Sequence, residues 1–144
     1  MTEPNTCYKQ SVTAVVIKDG KVLLARHTYG AGKNLLIVPG GYIDEGETPE
    51  DAVKREYFEE TGIVIKPRDI IAIRFNLKDW YVAFSADYLS GNAHSDNDEN
   101  SEVVWLDTDG KEETVDSDVK LLLVGFALMT DEMSTLHTIL TEET

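Results

Sequence analysis

Apolar and polar positions along the chain fall into short runs of differing period. Ser11 to Lys18 (SVTAVVIK) is rich in β-branched residues and leads into Asp19-Gly20, a two-residue hairpin signal; Lys21 to His27 (KVLLARH) continues as a second strand. A glycine-containing loop, His27 to Asn34, separates these from Leu35 to Val38, a short apolar run stopped by Pro39-Gly40-Gly41. That pattern predicts a buried strand ending in a special turn. A helix is announced next: Thr48 suits the N-cap, Pro49 the first helical position, and Glu50 and Asp51 the positive end of the helix dipole. Gly62 closes it, about 13 residues on. Ile63 to Ile65, Ile70 to Phe75, Trp80 to Leu89 and Val103 to Leu106 read as further strands, with a polar loop from Ser90 to Ser101. The tail from Asp118 to Leu140 reads as one or two amphipathic helices, broken near Thr130. Strands interrupted by one capped helix and finished by helices predict a mixed α/β domain, with helices packed on a sheet.

The length of 144 residues predicts a single domain, 1–144, with residues 1–9 as a mobile N-terminus. A content of 42% hydrophobic and 28% charged residues is that of a globular protein and excludes a disordered one. The first ten residues, MTEPNTCYKQ, have no apolar core of a signal peptide, and no later stretch has the uninterrupted apolar length of a membrane span. Together with the single Cys7, which cannot form an intramolecular disulfide, this sets a cytoplasmic location as the expectation. The net charge of -14 repels nucleic-acid backbones and anionic membranes, so neither is expected as a main partner. A small phosphorylated substrate needs divalent cations or local Lys and Arg in so acidic a chain. Oligomeric state is not legible, and a homodimer is left open.

Within the predicted helix, Glu56, Glu59 and Glu60 stand at i, i+3 and i+4, where side chains are neighbours. The stripe they form is bordered by Ala52, Val53 and Tyr57, so it flanks the core face. A partly buried carboxylate cluster must bind metal, accept protons or pair with cations. Hard oxygen donors suit Mg²⁺, Mn²⁺ or Ca²⁺, and the absence of a Cys and His set argues against zinc.

From Gly41 to Ile63 the sequence GYIDEGETPEDAVKREYFEETGI matches the Nudix box, written GX5EX7REUXEEXGU with U aliphatic. Gly41, Glu47, Arg55, Glu56, Glu59, Glu60, Gly62 and Ile63 all fall at the required spacing, and the chain therefore resembles a Nudix hydrolase. Inside the box only Tyr57 departs, standing where the family has an aliphatic residue; upstream, Leu36 stands where an aromatic is common. The resemblance implies an α/β/α sandwich with a mixed sheet, binding Mg²⁺ or Mn²⁺ and hydrolysing a diphosphate that links a nucleoside to another moiety. It implies Glu56, Glu59 and Glu60 as metal ligands, joined by the Gly40 carbonyl, and Arg55 with Glu47 as a pair that orients helix and loop. The metal would neutralise the diphosphate and acidify a water, which a carboxylate, Glu56 or Glu59, deprotonates for attack on phosphorus.

A further acidic ligand often comes from outside the box in this family, and Glu99 and Glu102 are the candidates. Asp96, Asp98 and Asn100 imitate part of a calcium loop, but Ser101 stands where glycine is needed and a strand follows where a helix should, so an EF-hand is rejected. Arg26, at the end of the second strand, and Lys33, before the run that leads to Pro39, are candidates for substrate phosphates; Tyr81 stands where the family associates a tyrosine with dinucleoside polyphosphates. A Nudix-fold binding or regulatory module that keeps the box for structure is the second reading. The intact glutamate set argues against it, because a silent module has no reason to keep every repelling carboxylate.

Overall fold

The computed structural model describes residues 9–28, 33–75, 77, 79–96, 100–107 and 117–130. In chain order the elements are β1 (Lys9–Lys18), β2 (Lys21–His27), β3 (Leu36–Ile37), β4 (Gly40–Tyr42), α1 (Pro49–Thr61), β5 (Val64–Phe75), β6 (Asp79–Ser90), β7 (Asn100–Asp107) and α2 (Ser117–Thr130). Lys9 already pairs with Asp79, so the ordered strand begins within the segment expected to be a mobile terminus; residues 1–8 lie outside the described residues.

One mixed sheet runs in the order β3-β2-β1-β6-β5, with β4 also on β1 and β7 also on β2. The long β1 makes this possible: its register with β6 is parallel from Lys9 to Val16, while its last residues, Ile17 and Lys18, pair antiparallel with β2. Asp19 and Gly20 both take positive φ, +54° and +77°, as a tight hairpin whose twist matches its strands requires.

Side chains alternate across β1 and split the core in two. Val12, Ala14 and Val16 face α1 and pack with Ala52, Val53, Tyr57, Val82 and Phe84. Val15 faces the other way, with Leu24, Leu36 and the α2 residues Val119, Leu122, Leu123 and Phe126. The result is a helix on each face of a mixed sheet, the α/β/α sandwich. Leu36 is buried in the α2-side core, which accounts for an aliphatic residue at that position.

Helix α1 has the limits its end signals predict. Thr48 is extended and its hydroxyl accepts from the Asp51 amide at 3.1 Å, a cap whose loss costs about 1 kcal/mol. Gly62, left-handed at φ 77°, ends the helix by donating to the Phe58 carbonyl. Tyr57 is fully buried, and its hydroxyl donates to the Ala14 carbonyl at 2.6 Å. The ring thus fills an aliphatic site while its polar tip is satisfied by β1.

Three elements differ from the sequence expectation, one being β7, which starts at Asn100 within the expected polar loop. Gly40 and Gly41, expected in a turn, form β4 with Tyr42, paired to Thr13, Val12 and Ser11. Ile63 to Ile65 and Ile70 to Phe75, expected as separate strands, belong largely to the single β5, which carries Pro67 and shifts register around Ile70. Pro67 is tolerated because β5 ends the sheet's strand order. The tail expected to be helical beyond Thr130 lies outside the described residues.

Candidate functional site

The acidic face of α1 is organised by Arg55. Its Nε donates to Glu47 Oε2 at 2.8 Å and its Nη2 to Glu47 Oε1 at 2.9 Å, a bidentate fork. Nη2 also donates to the Tyr42 carbonyl at 3.1 Å, while Nη1 donates to Glu56 at 3.1 Å and Glu59 at 3.2 Å. The guanidinium therefore joins three segments: the end of β4, the loop before α1, and α1 itself. Asp44 adds a longer contact to Nη2, 3.4 Å, and its amide donates to Glu47 at 2.9 Å, so Glu47 is held from both sides. The Arg55 fork, followed by that amide, holds the Glu47 carboxyl down at about 2 from an ordinary 4.5. Reciprocally, the bond to Glu47 raises the Arg55 pKa further.

The three helix glutamates lie at three depths. The Glu59 side chain is 58% exposed, that of Glu56 only 13%, and Glu60 is buried at 4%. Burial raises the pKa of Glu56, against the lowering effect of Arg55 and of a hydrogen bond shared with Glu60. Glu56 and Glu60, one helix turn apart, thus crowd two carboxyl groups into a partly buried setting that a cation would relieve. Glu60 Oε2 is a buried atom with no hydrogen-bond partner among the described residues, although the residue itself reaches Glu56.

Glycine forms the facing wall. A Cβ on Gly41 would overlap the Glu56 carboxyl group, and one on Gly40 would overlap the Val12 carbonyl oxygen in β1. The pair Gly40-Gly41 thus lets β4 lie flat between β1 and the α1 carboxylates. At the other end of α1, the Glu60 carbonyl accepts from Asn100 Nδ2 at 3.1 Å and the Thr61 carbonyl from the His94 amide at 3.0 Å. The loop before β7 and the first residue of that strand therefore cap the helix turn that carries Glu59 and Glu60. Asp44 and Asn100 were not anticipated as site residues. Asp44 had a local signal, standing three residues before Glu47; Asn100 had none, because its contact spans 40 residues.

Other anticipated residues are not brought to this cluster. Arg26 and Glu102 pair with each other at 2.6 Å across β2 and β7, and Arg26 also donates to the Asn34 carbonyl at 2.8 Å. Their register opposite Leu36, which packs in the α2-side core, puts both on the α2 face of the sheet. Tyr81 likewise packs on that core, across the sheet from Glu56. Lys33 is exposed in the turn before β3, and Glu99 lies outside the described residues.

Among the described residues, no three Asp, Glu, His or Cys side chains converge as a metal-holding group. The physical reason is Arg55 Nη1, which lies between Glu56 and Glu59 and draws them to itself. The donors nonetheless suit a hard divalent ion: Glu56 and the buried Glu60 stand one turn apart on α1, Glu59 is an exposed neighbour, and the Gly41 backbone leaves room beside Glu56.

A sheet covered on both faces by helices, with a strand-loop-helix carrying an arginine-ordered glutamate cluster, defines a domain class. A family model described as the NUDIX domain matches residues 8–119, and the chain belongs to that family. An ADP-ribose pyrophosphatase of Methanocaldococcus jannaschii is 36% identical over 63 residues, 44% of this chain and 37% of that protein. An NAD-capped RNA hydrolase NudC of Actinobacillus succinogenes is 34% identical over 119 residues, 75% of this chain and 42% of that protein. The chain spans about two fifths of the length of these curated relatives. A NUDIX hydrolase structure from Nitrosomonas europaea shares the fold, with a TM-score of 0.77 at 19% identity over 90% of this chain and 76% of that one. Among the described residues, no helix is long and apolar enough to cross a membrane.

Proposed function

We propose that this chain is a single-domain, metal-dependent pyrophosphohydrolase acting in the cytoplasm on a nucleoside diphosphate linked to another moiety. The observation that carries the reading is the nearly buried Glu56 carboxyl, set between Gly41 and Arg55 with the buried Glu60 one helix turn away, in a chain that belongs to the NUDIX family. Glu56, Glu59 and Glu60, with the Gly40 carbonyl, are the proposed ligands of Mg²⁺ or Mn²⁺. When bound, the ion supplies charge neutralisation for the diphosphate and a more acidic water.

The remaining work belongs to the chain's own residues. Arg55 and Glu47 fix the loop against the helix, so that the carboxylates meet the substrate in one orientation. Water oxygen bonds to one phosphorus, the bridging P–O bond breaks, and its electron pair leaves with the other phosphate. The water proton passes to a carboxylate, Glu56 or Glu59. Of the residues outside the box, Lys33 is the proposed phosphate contact; Arg26 and Glu102 are proposed as a structural pair and not as substrate or metal ligands.

The relatives guide the choice of substrate. One is named for ADP-ribose and another for NAD-capped RNA, and both names point to a diphosphate joined to adenosine. The charge of -14 favours the small molecule over the polymer. The test is a panel of ADP-ribose, NAD, dinucleoside polyphosphates, nucleoside triphosphates and NAD-capped RNA with Mg²⁺, products identified by mass. Release of AMP from ADP-ribose or NAD is the expected result. Nucleotide binding without turnover on any member would replace the enzyme with a silent binding module.

A further inference from the structure

We propose that a second copy of this chain docks antiparallel across strand β5, about a twofold axis between Ile71 and Ala72. Three large apolar side chains lie along this strand: Ile70, Ile73 and Phe75, at 50%, 55% and 74% exposure. Their register partners are Phe84, Val82 and Trp80, which pack in or against the α1-side core. Directly opposed residues share a face of the sheet, so all three belong to one apolar strip. Ile70 and Ile73 are an odd number of residues apart and share a face only because the register shifts between Ile70 and Ala72.

The other face carries charge in a complementary order. Arg74 is opposite Tyr81, which packs on the α2-side core, and Asp69 lines a cavity with Phe126 of α2. Both are exposed. When two β5 strands are set antiparallel with Asp69 opposite the other copy's Arg74, Ile70 falls opposite Ile73 and Ile71 opposite Ala72. Charge meets opposite charge and apolar meets apolar, each on its proper face. Only a self-complementary order gives this for a twofold contact.

Net charge selects the same surface. Residues 64–90 hold four basic side chains (Lys66, Arg68, Arg74, Lys78) against three acidic ones (Asp69, Asp79, Asp87), in a chain of net charge -14. Two copies therefore meet here without the mutual repulsion that the rest of the surface imposes. Among the described residues β5 has β6 as its only strand neighbour, and Lys66 with Pro67 protect one end of it. The stretch from Ile70 to Phe75 has no proline, and its one charged side chain, Arg74, finds its counterpart in Asp69 of the other copy.

The experiment is sedimentation equilibrium on the full chain at micromolar concentration. A dimer is expected for the natural sequence. Ile73→Asp should give a monomer, and Asp69→Lys and Arg74→Glu should each weaken association about tenfold, by setting like charges opposite one another. An equimolar mixture of those two charge variants should recover the dimer, because each then supplies what the other lacks. All three sites of change are exposed, and an unchanged circular dichroism spectrum confirms folding. A monomeric natural chain, or a dimer indifferent to Ile73→Asp and to both charge reversals, overturns the proposal. Neither result bears on the hydrolase reading, which the nucleotide panel tests separately.

Discussion

Two arginine–glutamate contacts of similar length serve different ends in this molecule. Arg26 meets Glu102 at 2.6 Å across β2 and β7, a half-buried cross-strand pair in which Arg26 also donates to the Asn34 carbonyl. Arg55 meets Glu47 at 2.8 Å, but also binds Tyr42, Glu56 and Glu59. The first ties two adjacent strands that the ladder already holds. The second fixes a loop, a strand end and a helix face that no backbone ladder joins, and so sets where the carboxylates stand. Contact length alone does not reveal this; the number of separate segments held does.

The largest effect expected from breaking the Arg55 cluster is on Glu56. Glu56→Gln should lower turnover about a thousandfold with the fold intact, as loss of several kcal/mol of charge stabilisation requires, measured by steady-state kinetics beside thermal melting. Next is Gly41→Ala, whose Cβ would displace the Glu56 carboxyl group. Turnover should fall about a hundredfold through misplacement alone, with a smaller change in melting temperature. Equal turnover in either variant would remove Glu56 from the site.

The third test uses pH. Glu47 titrates at about 2 in the folded chain against 4.5 ordinarily, so the unfolded chain takes up its proton first as pH falls. The Arg55–Glu47 contribution is therefore full above about 4.5 and is lost as pH drops toward 2. Glu56, raised by burial, has the opposite sign: its contribution is present at low pH and lost as pH rises through its raised pKa. Urea midpoints across this range should show the acid loss in the natural chain and a flatter curve in Arg55→Ala. The smallest effect belongs to the other pair: Glu102→Ala should cost under about 1 kcal/mol and leave turnover within twofold. A large loss of turnover would return Glu102 to the metal site.

Much of the site was legible because its signals are local. Thr48, Pro49 and Gly62 bound α1 by their own backbone chemistry, and the spacing of Glu56, Glu59 and Glu60 follows from helix geometry. Asp19-Gly20 fixed the first hairpin in the same way. What escaped depends on distant partners. β4 has little strand propensity in Gly-Gly-Tyr and exists because β1 lies beside it. The KPRD stretch, Lys66 to Asp69, reads as a break, yet an edge position lets the strand run through it. Asn100 caps the turn bearing Glu60 from 40 residues away, and Tyr81 and Glu102 were assigned to the site without knowledge of which face of the sheet they occupy.

We propose that the crowded acids on α1 persist because they hold a divalent cation against a diphosphate. The decisive measurement is electron paramagnetic resonance of Mn²⁺ titrated into the full chain. The natural chain should take up Mn²⁺ and release it to excess Mg²⁺, while Glu56→Gln and Glu60→Gln lose most of that uptake. Mn²⁺ remaining wholly free with the natural chain, or bound equally by both variants, would contradict it.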